Sequence, residues 1–93
     1  MLICSSYIKA QKTIVYGKVE EDSTLYSIMY AKINFMGTQI GTTTDTSGIF
    51  KLSIPNEKLI YDSLIVSCLG FKTKKIHLKY GKNQEINIQL SSE

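Results

Sequence analysis

Of the side chains able to do chemistry, this 93-residue sequence carries few, and it spaces them poorly for joint work. His77 is the only histidine, so one chain cannot assemble a histidine-based metal site or a Ser-His-Asp arrangement. Its alternation with Ile76 and Leu78 turns it toward solvent on a lysine-rich strand. The eight carboxylates (Glu20, Glu21, Asp22, Asp45, Glu57, Asp62, Glu85 and Glu93) scatter over turns and strand ends. A glycosidase pair would need two of them facing each other roughly 5–9 Å apart across a cleft, and nothing in their spacing suggests it. The stretch GTQIG at 37–41 lacks the Lys-Ser/Thr and the helix that a phosphate-cradling loop requires. Cys68 falls in an apolar run, where a free thiol behaves as a small hydrophobe. Cys4 lies in the unpatterned N-terminal stretch, and sequence alone does not pair the two. The chain therefore predicts no catalytic residue, no metal ligand and no cofactor.

One aspartate does sit in a motif: Asp45, in TDTSGIF at 44–50. An Asp side chain accepts hydrogen bonds from backbone N–H groups two or three residues on, building a tight turn. Gly48 falls where such a loop needs positive φ, which glycine adopts at little cost. A calcium loop would need several more oxygen ligands at close spacing, and only Thr and Ser hydroxyls are near. Asp45 and Gly48 are predicted to be structural turn residues.

The elements around that turn follow from composition. Ile, Val, Thr, Tyr and Phe crowd the chain while Ala is nearly absent, which favours pleated strands over helices. No window shows the i, i+3, i+4, i+7 apolar spacing of an amphipathic helix. Period-two alternation instead marks seven strands, at 13–20, 31–36, 39–44, 49–54, 62–69, 71–78 and 85–90, separated by turn residues. Seven strands in so short a chain imply a single all-β domain over 12–91, built as a seven-stranded antiparallel Greek-key β-sandwich.

Two surface patterns bear on partners. Five lysines (Lys72, Lys74, Lys75, Lys79 and Lys82) fall in one short stretch, although the net charge is only +3. They lack the arginine forks and interleaved aromatics of nucleic-acid readers, so no nucleic-acid partner is expected. Lysines on an edge strand deter sheet-to-sheet pairing, and Lys72, Lys74 and Lys75 are candidate contacts for a protein partner. The six tyrosines (Tyr7, Tyr16, Tyr26, Tyr30, Tyr61 and Tyr80) either form a platform for sugar rings or cap the ends of the sandwich. No run approaches the ~20 apolar residues of a membrane-spanning helix. Residues 1–11, ending in Ala10-Gln11, read either as a signal-peptide remnant cleaved after Ala10 or as a disordered arm.

Four stretches together resemble the carboxypeptidase regulatory-like domain: IVYGKV at 14–19, SIMYAKINFMGT at 27–38, GTTTDTSGIFKL at 41–52 and SLIVSCLGFKT at 63–73. The G-T-x-T-D-x-x-G-x-F hairpin and the V-S-x-x-G-F junction are the more specific pair. The resemblance implies a transthyretin-like sandwich, secreted or periplasmic. Such domains commonly stand at the N-terminus of envelope proteins such as TonB-dependent receptors and peptidases of Gram-negative bacteria. It implies a non-catalytic accessory or interaction module, with a protein of the cell envelope or a longer parent chain as partner. A carbohydrate-binding module using surface tyrosines is the alternative. Family members often carry prolines before the position of Ala31, where this chain has Ser27 and Met29, so that connection is expected to be looser.

Overall fold

The first alternating run becomes β1 (Lys12–Glu21), which buries Thr13, Val15 and Val19 and turns Tyr16 outward. The computed structural model describes residues 12–93. Strand β2 (Lys32–Phe35) buries Ile33 and Phe35, and the three-residue β3 (Gly41–Thr43) returns beside it. Strand β4 (Ile49–Pro55) buries Phe50, Leu52 and Ile54. Pro55 has no N–H to extend the ladder, and a 3-10 turn, Asn56–Lys58, follows it. Strand β5 (Ser63–Ser67) buries Leu64 and Val66, β6 (Lys74–His77) is largely exposed, and β7 (Asn83–Glu85) and β8 (Ile88–Leu90) are the last of the described strands.

One sheet has the order β4-β1-β7, with β8 also paired to β1, and the other has the order β3-β2-β5-β6. The chain passes between the sheets after β1, β3, β4 and β6, so β1 pairs with β4 and β2 with β5 out of sequence, as a Greek key requires, while β2-β3 and β5-β6 are sequential neighbours. At the near end, where β1 starts, lie the 36–40 hairpin, the 3-10 turn and the 78–82 turn. At the far end lie the 22–31 connection, the 44–48 hairpin, the 68–73 loop and residues 91–93.

The expectation of an all-antiparallel sandwich with one last strand at 85–90 needs correction. That run divides into β7 and β8, and both lie parallel to β1, with Ile14 opposite Asn83 and Val19 opposite Ile88. The reason is directional. Strand β6, antiparallel to β5, finishes at the near end, so the next strand can only run the way β1 runs. Alternation looks the same in either pairing, so the sequence pattern does not separate them.

The break between β7 and β8 sits opposite Gly17. The Ile86 N–H donates to the Tyr16 carbonyl (2.9 Å), and the Ile86 carbonyl then occupies the space where a Gly17 side chain would begin. An added Cβ would overlap that oxygen outright. Between the sheets, residues such as Val15, Ile33, Phe35, Ile54, Leu64 and Leu90 are fully enclosed. Each such side chain contributes roughly 1.5–3 kcal/mol by burial, against about 0–1 kcal/mol for a half-buried surface pair such as Lys18–Glu20. The core therefore dominates stability. Because the clash at position 17 is with backbone and no rotamer relieves it, Gly17→Ala should cost at least the ~1–3 kcal/mol typical of overpacking. Urea unfolding of the two proteins measures this, and an unchanged midpoint would contradict the close approach.

Candidate functional site

Residues 44–50 carry the chain from β3 into β4 at the far end. The Asp45 Oδ1 accepts the N–H groups of Ser47 (2.8 Å) and Ile49 (2.9 Å), and the Gly48 N–H donates to the Asp45 carbonyl (3.0 Å). Gly48 is buried at φ 77, and an added Cβ would come within 2.8 Å of the Val19 carbonyl oxygen. Its own carbonyl accepts the Val19 N–H at 2.8 Å. The turn is thus docked on the end of β1. Among the described residues, no group of three or more His, Cys, Asp or Glu side chains is placed to hold a metal ion.

Thr44 is a residue that sequence reasoning passed over as part of a strand. Its buried hydroxyl donates to the Ile28 carbonyl (2.7 Å) and accepts the Ala31 N–H (2.9 Å). Its backbone adds two more bonds, to the Ala31 carbonyl and from the Tyr30 N–H, each 3.0 Å. The connection that lacks the family's prolines is held by this side chain together with backbone bonds to β1, among them Ile28 N–H to the Val19 carbonyl (2.9 Å) and Glu21 N–H to the Tyr26 carbonyl (2.9 Å). Leu25 (φ 62) and Tyr30 (φ 61) lie in the same connection in the left-handed region. That conformation costs bulky residues on the order of 1–3 kcal/mol and persists only where neighbours impose it. Thr44 fills the T of the T-D pair in the hairpin motif, but that position does not reveal its partners, Ile28 and Ala31, which only the fold brings to it.

The lysine-rich strand β6 is at the edge of its sheet. Its lysines are not equivalent. Lys74 Nζ donates to the Gln89 carbonyl at 3.0 Å, reaching across to β8 of the other sheet. The Lys72 and Lys75 residues are exposed, although the Lys72 N–H donates to the Ser91 carbonyl (2.8 Å). Phe71 bridges Ser92, and the Glu93 N–H donates to the Gly70 carbonyl (2.9 Å), so the two sheets are stitched together on this side. On the opposite side β4 bonds only to β1, and it carries a single lysine, Lys51. Edge β4 is the less protected of the two.

Among the described residues the tyrosines do not gather into one platform. Tyr61 and Tyr80 line a shallow hollow with Ile60 at the near end, and Tyr30 lines another with Leu69 and Phe71 at the far end. Tyr16 stands by itself on the outer face of β1. The far end is apolar and open: Leu25, Tyr26, Met29 and Tyr30 are exposed, and Leu69 is 99% exposed at its loop tip. His77 Nδ1 is 3.8 Å from Asp62 Oδ1, with both side chains exposed. Cys68 is a free, half-buried thiol against the core. Tyr7, Cys4 and the expected signal remnant or arm at 1–11 lie outside the described residues.

An all-β, two-sheet sandwich closed by an Asx hairpin defines the class of small β-sandwich domains. Within that class the chain belongs to the CarboxypepD_reg-like domain family, whose model matches residues 15–93. Membership makes it a non-catalytic domain. It is 31% identical over 90 residues to TonB-dependent receptor P3 of Formosa agariphila, a match covering 97% of this chain and 8% of the receptor. The chain thus spans less than a tenth of the length of that relative. Family and relative together assign it to the periplasmic or cell-envelope compartment. Two crystal structures of type II cohesin–X–dockerin complexes from Acetivibrio cellulolyticus share the fold. A C-terminal interface mutant gives a TM-score of 0.61 at 18% identity, covering 84% of this chain and 56% of that one. An N-terminal interface mutant gives 0.64 at 18% identity, covering 86% and 58%.

Thr44→Val keeps the shape of the side chain but leaves the Ile28 carbonyl and the Ala31 N–H without their buried partner. It should destabilise by about 1–3 kcal/mol in chemical denaturation. Asp45→Ala removes two exposed backbone bonds and should cost roughly 0.5–2 kcal/mol, by analogy with lost helix caps. Added calcium should leave the melting temperature of the native chain unchanged. A calcium-dependent rise that vanishes in Asp45→Ala would assign the carboxylate to a metal.

Proposed function

We propose that this chain is an accessory interaction module of a cell-envelope protein, in the manner of the N-terminal extension of an outer-membrane receptor. The observation that carries this reading is the similarity of nearly the whole chain to a small fraction of a TonB-dependent receptor. A domain of this size in a much longer protein works by contact and placement. Two surfaces suit contact. The far end offers exposed Leu25, Tyr26, Met29, Tyr30 and Leu69 on two loops, and clustered exposed apolar side chains of this kind mark protein-binding surfaces. The β6 edge offers Lys72 and Lys75 for charge steering, while Lys74 is committed to Gln89. Strand addition along β4 is the remaining mode. A sugar platform built from several tyrosines has no support from their placement at both ends and on one face.

A photo-crosslinking amino acid placed in turn at Leu69, Lys75 and Ser53, in cells that make the protein natively, distinguishes the three modes. Adducts with one envelope protein are expected from Leu69, and no adduct from any position would contradict the reading. With that partner purified, Lys72→Glu with Lys75→Glu should slow association at low salt and flatten its salt dependence, leaving the melting temperature unchanged. An unaltered on-rate would reduce these lysines to a solubilising role.

A further inference from the structure

We propose that the outer face of the β4-β1-β7 sheet is a binding site for a neutral oligosaccharide, centred on Tyr16. This goes beyond the interaction-module reading and does not depend on it. The face holds an open trough of about 560 Å³. Tyr16 is 42% exposed in the middle of the central strand, where a solvent-facing side chain is ordinarily polar. Half-buried Ile14 and exposed Ile49 extend its apolar floor along the sheet.

The register fixes what flanks the ring. Lys51 of β4 lies directly opposite Tyr16 on one side and Glu85 of β7 on the other. Strands are spaced roughly 4.8 Å apart, so an ammonium donor and a carboxylate acceptor stand abreast of the phenol ring. Asn83 pairs with Ile14 one row along the sheet, and Asn87 stands at the mouth beyond β7. Each amide can both donate and accept. One flat ring between groups of both hydrogen-bonding senses matches a pyranose, which presents an apolar C–H face and a rim of hydroxyls.

The charges and the size of the face select the ligand class. Lys51 and Glu85 oppose each other across the ring, and Lys18 is 3.6 Å from Glu20, so the trough favours neither a polyanion nor a polycation. A stable protein interface needs about 800 Å² per partner around a cluster of anchors. Three apolar side chains do not supply that, whereas one ring with flanking polar groups suffices for a sugar.

The test is calorimetric titration of the chain with cellohexaose, xylohexaose and laminarihexaose, with a galacturonic acid oligomer as the anionic comparison. At least one neutral hexamer is expected to bind with a millimolar or better Kd. Tyr16→Ala should weaken it roughly tenfold or more, and Tyr16→Phe, which keeps the ring, should retain most of the affinity. Asn87→Ala, at the exposed mouth, should weaken it without altering the melting temperature. The proposal is overturned if no neutral hexamer binds at millimolar concentration, if Tyr16→Ala binds as the native chain does, or if the anionic oligomer binds tighter. It is equally overturned if the native chain forms a concentration-dependent dimer that Tyr16→Ala abolishes, since the face would then be a contact between copies.

Discussion

Strand β1 is hydrogen-bonded on both sides, and that depends on Gly17 leaving room for the Ile86 carbonyl. One flank is a continuous antiparallel ladder to β4, from Lys12 opposite Pro55 to Lys18 opposite Ile49. The other flank is shared between β7 and β8, with Ile86 at the changeover. A side chain at position 17 would push the last strand away and uncover Val15 and Val19, which β1 contributes to the core. The interruption that looks like a defect in the final strand is therefore the condition for completing the sheet.

Buried hydroxyls do for the loops what Gly17 does for the sheet. At the near end Thr13 Oγ1 donates to Asn56 Oδ1 (2.7 Å) and accepts the Gly81 N–H (2.8 Å), joining β1 to two separate turns. At the far end Thr44 joins the 28–31 segment to the β3–β4 hairpin. Each threonine is essentially fully enclosed, so its bonds form where an unmade one is expensive. Among the described residues no buried side-chain nitrogen or oxygen lacks a partner. Small domains have thin cores, and two such ties fix loop positions that apolar packing leaves open.

What could be read in advance was what is local. Strict alternation within the runs at 31–36, 49–54 and 62–69 sets Ile33, Phe35, Phe50, Leu52, Ile54, Leu64 and Val66 on one face of their strands, the face the fold buries, and the lysine run fits the edge strand β6. Pairing direction was not legible, because a strand facing one layer of core has the same period whichever way its neighbour runs. The Thr44 tie was hidden for a related reason: its partners Ile28 and Ala31 are brought to it only by the fold. The trough at Tyr16 was invisible until register set Lys51 and Glu85 on either side of the ring. In sequence the tyrosines fit either a sugar platform or caps on the sandwich ends; among the described residues the fold sends them to both ends and to one sheet face.

The parallel pairing of the first and last strands also has a mechanical meaning. The polypeptide enters at the near end through β1 and leaves toward the far end through β8, with the two directly bonded side by side. Tension applied to the two ends of the domain acts along these strands and perpendicular to their hydrogen bonds. The bonds from Val19–Ile88 to Glu21–Leu90 must then slip together, whereas an antiparallel pair pulled at its open end would unzip bond by bond. Pulled from its two ends, a domain built this way yields by shear along its length and not by peeling from one end.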